Sequence, residues 1–142
     1  MTYPEPQVDD SVVRPLSLET VKEALEADIG KTVRRDRLER DDRAYRWCIR
    51  KAFAEGNPFK ASISQAARGM GYPSNGDPDD DFVRWNSSVH RALNSLQSAG
   101  LIQWGGVKRP DGRWHCIEVR VLDNQRLRTI MVVMSTRSES RP

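Results

Sequence analysis

The 142-residue sequence predicts a mainly α fold with a small β-hairpin, an α+β chain with one compact core and polar tails. Three observations carry this. Apolar residues recur at helical spacing in several segments between Leu16 and Ala99. Gly100 then stops the last helix, with Leu101 and Ile102 supplying the hydrophobic contact that often follows such a stop. Finally, Cys116-Ile-Glu-Val-Arg-Val121 alternates at Ile117, Val119 and Val121, as a half-buried strand does.

Residues 1–15 are polar and hold three prolines without periodicity, so they read as a flexible arm. Ser17 caps a first helix; Glu19 and Glu23 suit its positive end, and Val21, Ala24, Leu25 and Ile29 lie on one face. Gly30 ends or bends it. Lys31–Arg40 is strongly charged, a second helix or a helical linker in which Val33 and Leu38 are the few apolar contacts. Residues 16–40 thus form a helical extension.

Asp41 or Asp42 caps the next helix, which runs to about Glu55 with Tyr45, Ile49, Ala52 and Phe53 inward and Trp47 and Cys48 flanking. Gly56-Asn-Pro58 ends it, and Phe59-Lys-Ala61 is a minimal strand. Ser62-Ile-Ser-Gln65 matches a capping box, opening a short helix with Ile63, Ala66, Ala67 and Met70 inward. Gly69 or Gly71 closes that helix. Tyr72–Asp80 is a long loop, and Asp81 caps a helix reaching about Ala99. Its inward positions are Trp85, Val89, Leu93 and Leu96; Arg84, Ser87, Ser88, Arg91, Asn94 and Ser95 lie on or near the other face. Hairpin arms Leu101–Lys108 and Arg113–Leu122 flank Arg109-Pro-Asp-Gly112, and Gly105-Gly106 predicts a bulge or an early opening. Trp104 and Trp114 are placed for a cross-strand pair. Residues 123–142 add a segment, Leu127–Met134, that suits a strand slightly better than a helix, and then a frayed end.

Charge is partitioned. Residues 1–30 carry two basic and seven acidic side chains, whereas 31–51 carry nine basic and four acidic. Residues 84–128 carry eight basic and three acidic, and no acid occurs between Phe82 and Pro110. A basic helix leading into a basic β-ribbon is suited to lie along a nucleic-acid duplex. No apolar run approaches the ~20 residues of a membrane span. The first residues lack the pattern of a secretory signal. Cys48 and Cys116 form no CxxC pair, which points to ordinary reduced thiols in a cytoplasmic, nucleoid-associated protein.

Val89-His-Arg-Ala-Leu93, Leu96 and Ala99-Gly-Leu-Ile102 resemble the third helix and wing entry of bacterial winged helix-turn-helix repressors and related replication proteins. The resemblance spans residues 41–122; the Tyr72–Asp80 loop is longer and more acidic than the pattern, and His90 replaces a small polar residue. It implies a recognition helix at about 81–99 in the major groove and a basic wing at about 101–122. On that basis Arg84, Ser87, Ser88, His90, Arg91 and Asn94 face double-stranded DNA, although His90 also suits packing against the hairpin. Arg91 is placed to fork onto guanine and Asn94 to pair with adenine. Lys108, Arg109 and Arg113 act at the hairpin tip on phosphates or in the minor groove, and Ser62, Ser64 and Gln65 set the short helix against phosphate.

Trp85 shares the Val89 face and reads as core. Asp77, Asp79, Asp80 and Asp81 fail the calcium-loop pattern and read as a capped, solvated helix start that repels phosphate. No Gly-rich phosphate loop or nucleophile elbow occurs, so neither an enzyme nor a cofactor or metal is expected. The expectation is a prokaryotic, phage or plasmid transcriptional regulator acting as a homodimer through 16–29 or 127–134. A replication or partition protein, and a winged-helix adaptor that binds protein through 16–40 or 123–134, are the rivals.

Overall fold

A computed structural model describes residues 15–107 and 116–122. Expectations for the arm, for the tip (Lys108, Arg109, Arg113, Trp114) and for Leu127–Met134 lie outside these residues. The described chain is mainly helical with a small antiparallel sheet, in the order α1 (Leu18–Ile29), α2 (Arg35–Glu55), β1 (Phe59–Ser62), α3 (Ile63–Gly69), α4 (Pro78–Ser98), β2 (Ile102–Val107) and β3 (Cys116–Val121).

Local chemistry explains most ends. Ser17 caps α1 by accepting from the Thr20 backbone N–H at 3.2 Å, and Gly30 ends it at φ +70°. Ser62 and Gln65 form the reciprocal capping box of α3. At the end of α4, the Gly100 and Leu101 N–H groups donate to the carbonyls of Gln97 and Leu96, each at 3.0 Å. That pairing satisfies two orphan carbonyls and turns the chain into β2.

Two starts differ from expectation. No helix begins at Asp41 or Asp42: α2 is continuous from Arg35, so the 40/41 boundary falls inside it. Spaced pairs Arg35–Glu39, Arg37–Asp41 and Arg46–Asp42 favour one uninterrupted helix. Asp41 is fully buried, and its carboxylate is engaged by neighbouring side chains. Likewise Asp77, not Asp81, caps α4, accepting from the Asp79 N–H at 3.0 Å with Pro78 in the first turn. Proline needs no N–H there, so the helix starts one turn early.

The sheet order is β1-β3-β2, and every pairing is antiparallel. Val119 lies between Phe59 and Trp104, and Ile117 between Ala61 and Gly106. The register continues through Gly105 and Gly106 to Val107 opposite Cys116, so neither the bulge nor the early opening occurs in the described arms. Asn57 extends the ladder: its amide donates to the Val121 carbonyl at 2.8 Å and accepts from the Val121 N–H at 2.9 Å.

One core joins all these elements. Leu16, Val21 and Leu25 from the first segment pack with Tyr45, Cys48, Val89, Leu93, Ile117 and Val119. Residues 16–40 therefore share the core of the rest; the Tyr45 hydroxyl accepts from the Leu16 N–H at 3.1 Å. Phe53 is 56% exposed rather than inward. The buried face of α2 centres on Cys48 and reaches Trp47, whose ring meets Phe59 edge-on at 5.5 Å. Phe53 lies beyond that face's edge.

Candidate nucleic-acid interface

α4 is packed against α1, α2, α3 and β2, and its buried positions are Asp81, Val89, Ala92, Leu93, Ser95 and Leu96. At about 100° per residue, Asp80, Val83, Arg84, Ser87, Arg91, Asn94 and Ser98 share an arc of roughly 100° on the opposite side. All are exposed except Asp80, which is half-buried. Arg84, Ser87, Arg91 and Asn94 are thus brought together as expected. The sequence reading left Val83 out.

The arginines on this arc differ. Arg84 lies 3.7 Å from Asp80, which also accepts from Asn75 at 3.0 Å. Arg91 has no ion pair among the described residues. Among those residues nothing holds its guanidinium, which can fork onto a partner. Ser88, expected to face DNA, is half-buried and lies about 40° outside the arc, between the buried positions Ser95 and Asp81.

His90, Asn94 and Gln97 tie α4 to the hairpin through Trp104. The His90 ring meets the indole at 4.9 Å, and partial burial lowers the His90 pKa, favouring the neutral ring. The indole N–H donates to Asn94 Oδ1 at 3.1 Å, and the Trp104 backbone N–H donates to Gln97 Oε1 at 2.8 Å. An indole offers only a donor, so it fixes the Asn94 amide with oxygen toward Trp104 and NH2 away. Trp104 thus couples the strand to the helix. Beside it, Gly105 and Gly106 leave an open depression of about 500 Å³ flanked by Glu118 and Arg120.

Ser95, expected on or near the outer face of α4, and Ser64, expected against phosphate, are instead interior. Ser95 is buried; its hydroxyl donates to Asp41 Oδ2 at 2.5 Å and accepts from Arg37 at 3.0 Å. Arg40 completes this α2–α4 clamp, 2.9 Å from Asp41 Oδ1. Ser64 is also buried and donates to Asp81 Oδ2 at 2.6 Å, so it does not face a phosphate. Ser62 and Gln65 lie at the surface, but their side-chain oxygens already accept each other's backbone N–H.

The aspartates divide by role. Asp77 caps, Asp80 pairs with Arg84, and Asp81 accepts from Ser64 and from Ser74, both at 2.6 Å. Those hydroxyls, helped by Arg68 and Arg84, hold the Asp81 carboxyl below its ordinary 3.8. The solvated reading therefore fails for Asp81. Trp85 is only half-buried: it stacks on Tyr72 at 4.7 Å and donates to the Pro73 carbonyl at 2.7 Å, pinning the loop before α4.

Among the described residues no group of three or more His, Cys, Asp or Glu is arranged to hold a metal. Burial pushes the Cys48 thiol pKa up, making it inert. No described helix is long and apolar enough to cross a membrane. Comparison with protein-family models, curated proteins and solved structures returns no match, so any function rests on the chain's own geometry.

Proposed function

We propose that this chain is a winged helix-turn-helix protein that binds double-stranded DNA, with α4 in the major groove and the β2–β3 hairpin against adjacent backbone. The observation that carries this reading is the outward arc of α4, where Arg84, Ser87, Arg91 and Asn94 lie together on a helix braced from behind by three others. From Phe82 to Pro110 the sequence has no acid, which suits a polyanion. The order α2–β1–α3–α4–β2–β3 and the sheet order β1-β3-β2 agree with the element order a winged helix needs. The role most in keeping with it is transcriptional regulation by a prokaryotic, phage or plasmid homodimer, because one module reads few base pairs.

Binding of the full chain to labelled duplex across a salt series tests the reading. Affinity falls steeply with salt, by about 0.9 units of log–log slope per phosphate contact. Arg91→Ala removes about 1–3 kcal/mol of discrimination between preferred and random duplex. A chain that binds no duplex at moderate salt is not a DNA-binding protein, and the adaptor reading replaces this one.

A further inference from the structure

We infer that Val83 is a specificity-determining residue that packs against the 5-methyl group of a thymine in the major groove. This rests on the proposed DNA-facing role of α4. Val83 is 84% exposed, ahead of Phe53 at 56% and Leu18 at 49%, the other exposed large hydrophobics among the described residues. It lies in the N-terminal half of α4, the part of a recognition helix that contacts base edges.

Nothing within the described chain accounts for a valine at this position. The apolar packing of α4 is supplied by Val89, Ala92, Leu93 and Leu96 on its other side. Helix formation does not favour it either, because a β-branched side chain is a poorer helix former than alanine. Its neighbours one turn away are Asp79, Asp80 and Ser87, with Arg84 adjacent, so it has a polar setting.

The partner that fits is a small apolar group set among hydrogen-bonding groups. In the major groove that group is the thymine methyl, flanked by base acceptors and donors. A protein partner fits less well. The centre of a protein interface is an apolar cluster, and Val83 is the one apolar side chain on the arc. The arc's two arginines, Arg84 and Arg91, suit phosphates or guanine beside that methyl.

The test begins with duplexes selected by the full chain from a random pool. Each thymine in a selected site is then replaced singly by deoxyuridine, which removes only the methyl group. At one thymine per half-site, wild-type affinity falls roughly fourfold, the value of one buried methyl. Val83→Ala weakens binding to the parent site by a similar factor and no longer distinguishes thymine from uracil there. Arg91→Ala still does. Val83 is exposed and alanine is the better helix former, so a melting temperature for Val83→Ala no lower than wild type's verifies the fold.

If wild-type protein binds a selected site but ignores every uracil, or if Val83→Ala keeps the distinction, the inference fails while DNA binding stands. If no duplex is selected, both fall together.

Discussion

Asp81 is buried one turn into α4, where two serine hydroxyls converge on a single carboxylate oxygen. Its folded pKa lies below the ordinary 3.8, so its contribution to stability is complete above that value. The contribution is lost as pH falls through the lower folded value. Asp81→Asn should therefore be less stable than wild type at neutral pH, with the gap narrowing below about pH 3.8. Urea unfolding between neutral and acid pH measures this; a pH-independent gap refutes the linkage. Asp41 offers a second residue-scale test. Its removal leaves Arg37 and Arg40 without their common counter-ion and Ser95 without its acceptor. Asp41→Ala should cost about 2–4 kcal/mol in denaturant unfolding, below the limit for a fully buried pair because both arginines reach solvent. Neither carboxylate's role is legible from sequence. Both read as exposed helix caps, because Asp is common at caps and the distant serines are invisible to local pattern.

At the scale of elements, α2 and α3 meet where the backbone of α3 lies close against a side chain of α2. Gly69 faces the Trp47 ring so tightly that an added Cβ would lie 1.9 Å from Cδ1. Gly69→Ala must displace the indole or shift α3 away from α2. It should lower stability by about 1–3 kcal/mol or more, read as a fall in melting temperature. A smaller residue at 47 relieves the clash, so Gly69→Ala with Trp47→Leu should lose less than the two single changes added. Strict additivity would contradict the contact. The same scale shows what the hairpin needs. Trp104 bonds two residues of α4, giving helix and strand a common orientation before any partner arrives. The sequence placed Trp104 on a hairpin arm and allowed His90 to pack there. The link to Asn94 and Gln97 emerged only when the two elements were brought together.

For the whole molecule, the acid-free stretch that follows Phe82 and the outward arc of α4 coincide in one proposed surface. A dimeric regulator then predicts a palindromic selected site, with half-site centres about 10 base pairs, or a multiple, apart. Tandem repeats in one orientation would instead favour the replication or partition role. Sedimentation of the full chain with and without the selected duplex gives the stoichiometry. Two protomers per palindrome is the expected result, and one protomer would overturn the dimer.

The sequence by itself determined which segments are helix or strand and most of their ends, the starts of α2 and α4 excepted. Periodicity, Ser17, the Ser62–Gln65 box, Gly100 and the Ile117–Val119–Val121 alternation are local signals, and the backbone obeys them. Tertiary structure decided which polar side chains are interior and which remain outside. Ser95 and Asn94 are adjacent and similarly polar, yet one is buried against Asp41 and the other is exposed beside Trp104. A 100° rotation separates them on the helix, but only the position of α2 makes one side an interior. Polar burial follows from a partner supplied elsewhere in the chain, and that partner exists only after folding.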